Sequence, residues 1–112
     1  MRRVVVSGIG AVTPLGGDIK STWENLIKNK SGANLISKFD TSDFQTKISC
    51  EVPLKNDQES SASSFDSSKW FSSKDLRKVD DFIIFGVAAA EMALEDSLLK
   101  NHNFDPNKIG VG

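Results

Sequence analysis

The side chains that most often act as nucleophiles or proton carriers near neutral pH are scarce here: there is 1 Cys, Cys50, and 1 His, His102. A cysteine becomes a nucleophile when a helix N-terminus or a cation stabilises its thiolate. Cys50 instead lies between Ser49 and Glu51, where the carboxylate opposes the thiolate, so a small core residue is the expected role. His102 sits in the polar run Asn101–Asn103 after an apolar stretch. An exposed histidine near a helix C-terminus is commonplace, and no motif gives it a partner. One cysteine and one histidine exclude a disulfide framework and an all-protein zinc site within one chain. No metal and no cofactor is expected.

Two further patterns carry chemical possibilities. Gly8-x-Gly10 follows a β-branched run, as in a dinucleotide-binding turn. The third glycine of that fingerprint would fall at Thr13, however, and Pro14, Gly16 and Gly17 separate the loop from the next helix. A pyrophosphate would lose its seat at a helix N-terminus, so a structural turn is the stronger reading. Lys74, Arg77 and Lys78 form a basic cluster ahead of Asp80 and Asp81. By itself such a cluster is either a solvated helix face or a docking patch for an acidic partner.

The elements that would position these residues follow from periodicity. Arg3–Ser7 reads as a buried strand ended by Gly8–Gly10. Asp18 is placed to cap a helix on which Ile19, Trp23, Leu26 and Ile27 share one face, with Gly32 as its expected left-handed stop. Lys47–Val52 alternates polar and apolar, which puts Ile48, Cys50 and Val52 on one face of a half-buried strand ended by Pro53. Residues 54–68 read as a polar surface loop with Phe65 as its one large apolar side chain. Ser72 and Asp75 have the spacing of a capping box. Phe82–Leu99 reads as a long helix, apolar nearly all round in its first half, which requires a covering surface. Asp105-Pro106 makes a turn, and Ile109–Gly112 resembles the beginning of another strand, so truncation within a core strand is expected.

Composition bounds the class. A hydrophobic fraction of 38% with 8 glycines is that of a globular chain, and 112 residues allow one small domain. Lys+Arg 14 against Asp+Glu 15 argues against a general nucleic-acid binder. The apolar run behind Met1-Arg2-Arg3 is too short for a signal core of about 7–15 residues. Phe82–Ala90 is well under the roughly 20 residues of a membrane span. A soluble cytoplasmic protein, with neither nucleic acid nor membrane as partner, is the expectation.

Taken together, the segments resemble the N-terminus of the β-ketoacyl-acyl carrier protein synthases, most closely the type II elongating enzymes. The matching stretches are Arg3–Gly10, Val12–Gly16, Ser21–Trp23, Lys30–Gly32, Phe39–Ser42, Thr46–Ile48, Lys74–Asp80 with its Lys-x-x-Arg-Lys-x-Asp pattern, Ala88–Ala90 and Leu94–Ser97. Their order and spacing run across nearly the whole chain. The resemblance implies an α/β fold, the incomplete N-terminal part of a thiolase-like fold, with a mixed sheet and packed helices. All of residues 1–112 would belong to that first half.

The resemblance also implies decarboxylative Claisen condensation in type II fatty-acid synthesis by a homodimeric enzyme served by acyl carrier protein. A cysteine thiolate takes the acyl chain, and two histidines assist decarboxylation and stabilise the oxyanion. Neither Cys50 nor His102 matches those motifs, so the expected number of catalytic residues in this chain is none. What does carry over is the basic cluster: Lys74, Arg77 and Lys78 resemble part of the family's carrier-docking surface. A binding module or split-enzyme subunit that holds carrier protein through the same patch is the alternative.

Overall fold

Helix starts in this chain are made by short-range side-chain bonds. The computed structural model describes residues 1–55 and 61–112. Helix α1 spans Ile19–Ile27 and opens at Asp18, whose Oδ1 accepts from the Ser21 N–H at 2.7 Å. Partial burial pushes the Asp18 carboxyl up, but the bonds from Ser21 and the Lys69 ammonium outweigh it and hold the group below its ordinary value. The expected apolar face, Ile19, Trp23, Leu26 and Ile27, forms on α1, yet all four side chains are exposed. The left-handed stop falls at Asn29, with φ 54°, and not at Gly32. Asparagine tolerates that conformation, and Gly32 instead lies against Pro14. The loop before α1 is tied to it. The Thr13 and Thr22 hydroxyls lie 2.8 Å apart, and the Asn25 amide donates to the Leu15 carbonyl at 2.6 Å.

The expected mixed sheet is not what these residues form. Strand β1 (Asn34–Leu35) pairs antiparallel with β2 (Ile48–Ser49), Asn34 opposite Ser49 and Leu35 opposite Ile48. Arg3–Ser7 and Ile109–Gly112, both expected as strands, carry no regular structure. A strand needs a ladder partner for its backbone groups, and neither segment has one among the described residues. The same limit shortens β2, which ends before Cys50.

The core corrects a second expectation. Phe65 is 2% exposed and forms the buried cluster with Ile84 and Ala88. A surface loop across residues 54–68 is therefore not what this segment forms around Phe65; residues 56–60 lie outside the described ones. The Phe65 N–H donates to the Pro53 carbonyl at 2.6 Å, and its carbonyl accepts from Lys55 N–H at 2.9 Å. Its ring meets Phe85 edge to face at 5.3 Å, a favoured aromatic geometry. Asp66 then caps a 3-10 turn at Ser67–Lys69. The Ser68 hydroxyl, aided by the Lys55 ammonium at 3.0 Å, lowers its carboxyl to about 2.

Helix α2 is the single turn Ser73–Leu76, and α3 spans Asp81–Asp96. Helix α3 stops short of Leu99 because Leu98 takes φ 57°, which ends an α-helix. Its Ile84 and Ala88 are buried, whereas Phe82, Ile83 and Val87 remain exposed. The far half of α3 receives the N-terminal segment. A methyl group on Gly8 would overlap the Ala93 carbonyl, and one on Gly10 the Ala89 carbonyl. Between them, the Ile9 N–H donates to Asp96 Oδ2 at 2.8 Å.

These contacts make opposite predictions for two glycines. Gly86→Ala meets nothing within 4 Å and should raise helix content, by roughly 0.5–1 kcal/mol of helix stability, seen by circular dichroism. Gly10→Ala should leave the helix signal intact but free the N-terminal segment, seen as faster hydrogen exchange at Ile9. Equal effects of the two substitutions would refute the close approach.

Candidate functional site

The basic cluster is held by a short, well-anchored segment. Ser72 Oγ accepts from the Asp75 N–H at 3.3 Å and donates to Asp75 Oδ2 at 2.6 Å, so the expected cap forms. Helical bonding continues through Leu76 N–H to Ser72 O at 3.0 Å and Lys78 N–H to Asp75 O at 2.9 Å. Leu76 and Val79 turn toward the core, as do Trp70 and Phe71 just before the cap. That fixes the remaining positions outward. Lys74, Arg77 and Lys78 are all exposed, Lys74 within α2 and Arg77 and Lys78 in the turn that follows it.

The acidic residues around the cluster differ in their partners. Asp75 accepts from the Ser72 hydroxyl and Asp81 pairs with Lys38 at 3.3 Å, whereas Asp80 is exposed and makes no side-chain cap bond. Among the described residues, no ion pair involves Lys74, Arg77 or Lys78. The result is a triad of cations on a fixed backbone, open to solvent. It can attract and orient an acidic surface; it has no group that could make or break a covalent bond. The Ser72–Asp75 cap is legible locally, but Lys38–Asp81 joins residues 43 apart and has no local signal.

The other candidates come apart. Cys50 is exposed, which corrects the expectation of a core residue: with β2 ended at Ser49, nothing turns its side chain inward. Its neighbour Glu51 accepts from the Ser37 hydroxyl at 2.7 Å, which holds that carboxyl below its ordinary value. His102 lies exposed with its ring edge to face on Phe104 at 5.7 Å. No hydrogen bond joins Cys50 to His102 among the described residues. Gly8 and Gly10 lie against α3 backbone, where their lack of side chains is needed for packing. No helix of the described residues is long and apolar enough to cross a membrane.

The sequence model of the β-ketoacyl synthase N-terminal domain matches residues 1–112. The chain belongs to the β-ketoacyl synthase family. Its curated relatives include 3-oxoacyl-[acyl-carrier-protein] synthase 2 of Rhizobium meliloti, 37% identical over 112 residues, which are 100% of this chain and 26% of the relative. The protein of the same name from Vibrio cholerae is 39% identical over 110 residues, 98% of this chain and 24% of the relative. That of Staphylococcus aureus (strain N315) is 33% identical over 110 residues, again 98% and 24%. The chain thus spans about a quarter of the length of these relatives.

Exposure of Cys50 sets a simple expectation within this family. The thiol should react stoichiometrically with a disulfide reagent without denaturant. A thiol that titrates only in denaturant would contradict its exposed position.

Proposed function

We propose that residues 1–112 form the N-terminal part of a β-ketoacyl-[acyl carrier protein] synthase with a thiolase-like fold. It would act as a cytoplasmic homodimer in type II fatty-acid synthesis. The observation that carries this reading is the alignment of the whole chain with relatives named 3-oxoacyl-[acyl-carrier-protein] synthase 2.

The reaction implied is a decarboxylative Claisen condensation. An acyl group passes from its carrier thioester to a cysteine thiolate. Malonyl-carrier then loses carbon dioxide, and the resulting carbanion attacks the acyl thioester. A carbon–carbon bond forms, the cysteine thiolate leaves, and the extended chain stays on the carrier. Oxyanion donors and histidines lower the barriers at both carbonyls. Cys50 and His102 fit none of these roles, so the chemistry belongs to residues outside these 112.

The contribution of this chain is recognition and scaffolding. Lys74, Arg77 and Lys78 present unpaired positive charge on a fixed turn, which suits the acidic surface of a carrier protein. Exposed charges of this kind act mainly on encounter rate and orientation, and salt screens them. A second reading, a non-catalytic module or split-enzyme subunit that binds carrier protein, is favoured by the same completeness of the patch within residues 70–81.

Two measurements test the features these readings share. Residues 1–112 alone should show no condensation and no decarboxylation of malonyl-carrier. In an enzyme bearing residues 1–112 as its N-terminus, Arg77→Glu should slow carrier association and weaken binding by about tenfold at low salt. That difference should shrink at high salt. Unchanged on-rate and affinity at low salt would remove the patch from the docking surface.

A further inference from the structure

The segment that carries the basic cluster has no net charge of its own. Lys74, Arg77 and Lys78 stand among Asp75, Asp80 and Asp81, so residues 74–81 hold three cations and three carboxylates. An acidic surface approaching this turn alone would meet as much repulsion as attraction. A net attraction has to come from another part of the chain, and the structure brings one cation there. Lys38 Nζ lies 3.3 Å from Oδ2 of Asp81, the first residue of α3, three positions beyond Lys78.

Lys38 is delivered by an anchored loop. The β1–β2 ladder is extended by the Ile36 N–H, which donates to the Lys47 carbonyl at 2.9 Å, and the Ser37 hydroxyl donates to Glu51 at 2.7 Å. Beyond Lys38, Asp40 accepts from both the N–H and the hydroxyl of Ser42, and the rings of Phe39 and Phe44 meet edge to face at 5.8 Å. Glu51 also feels the Lys38 ammonium, but among the described residues the ion pair of Lys38 is with Asp81.

Stability does not account for this pair. Its side chains are 56% and 54% exposed, and ion pairs open to water contribute little to folding. What the pair does change is the field at the turn. With Asp81 masked, the three cations outnumber the remaining carboxylates, Asp75 and Asp80. Fields of this kind act on encounter rate and on the choice of partner.

We propose that Lys38 tunes the carrier-docking surface: by masking Asp81 it makes an otherwise neutral turn net positive toward an acidic partner. The inference rests on the docking role proposed for Lys74, Arg77 and Lys78, and adds a residue from outside their cluster. Lys38 acts through Asp81, as a positioning residue, and has no need to touch the carrier.

The test is a charge cycle, read by stopped-flow association of acyl carrier protein with an enzyme bearing residues 1–112 as its N-terminus. At about 0.01 M salt charges act over ~30 Å. Lys38→Gln should then slow association about threefold, and Asp81→Asn should speed it by a similar factor. The double variant Lys38→Gln/Asp81→Asn should return to the parent rate, and Lys38→Arg should keep it. The differences should vanish near 1 M salt, where the range falls to ~3 Å. Melting temperatures of the variants should coincide; slower association that tracks a lowered melting temperature would make Lys38 a structural residue and overturn the inference. An unchanged rate in Lys38→Gln, with Arg77→Glu still slowing association, would overturn the role of Lys38 and leave the docking surface standing. A double variant as slow as Lys38→Gln would also overturn it, since Lys38 would then be a direct contact. If Arg77→Glu has no effect either, the docking reading fails and this inference fails with it.

Discussion

The seating of Gly8 and Gly10 on helix α3 is the contact from which the rest of the arrangement follows. Two backbone stretches approach so closely that a single methyl on either glycine would meet a carbonyl oxygen. Such an approach requires small residues on both sides, and α3 supplies Ala89, Ala93 and Ser97 at the same places. The Ile9–Asp96 bond then fixes the segment along the helix. Earlier along α3, Ile84, Phe85 and Ala88 gather Phe65, Leu76 and Val79. Through Leu76 and Val79 the basic turn takes its orientation from that helix as well. One rod therefore sets both the direction of the N-terminal segment and the outward face of Lys74, Arg77 and Lys78.

What could be read from the sequence divides by range. The caps at Asp18 and Ser72 depend on residues three positions away, and both form where the spacing places them. The amphipathic pattern of α1 also appears, since helical periodicity is a local property. Apart from the helix ends at Asn29 and Leu98, which are local, the misplaced features depend on a distant partner. Phe65 looked like a lone apolar residue in a polar loop, yet Phe85, 20 residues on, provides the ring that buries it. Arg3–Ser7 and Ile109–Gly112 have strand composition, but composition cannot supply the neighbouring strand. Alternation places Cys50 inward, but alternation has meaning only while a ladder holds the segment flat. The candidate patch is legible as a charge cluster; the pairing of Asp81 with Lys38, 43 residues away, is not.

The patch illustrates how docking can be separated from chemistry. A surface cation contributes little stability, because water screens it and its side chain loses freedom on pairing. The same exposure makes it available for a partner, provided nearby carboxylates do not neutralise it first. Here Asp81 takes Lys38 from a distant part of the chain and Asp75 serves the helix cap, while Asp80 stays exposed beside the turn, so the basic face is compensated only in part. No thiolate, imidazole pair or oxyanion donor is needed at such a place.

The packing also bears on how far this arrangement can sustain itself. Phe65, Ile84 and Ala88 are the buried hydrophobic residues among those described. The apolar faces of α1 and α3 and the side chains of Val4–Val6 remain exposed. Their burial would anchor α3, and α3 anchors the turn that presents the basic residues. The charges of the patch are encoded locally, but the orientation of Lys74, Arg77 and Lys78 depends on α3 through the packing of Leu76 and Val79.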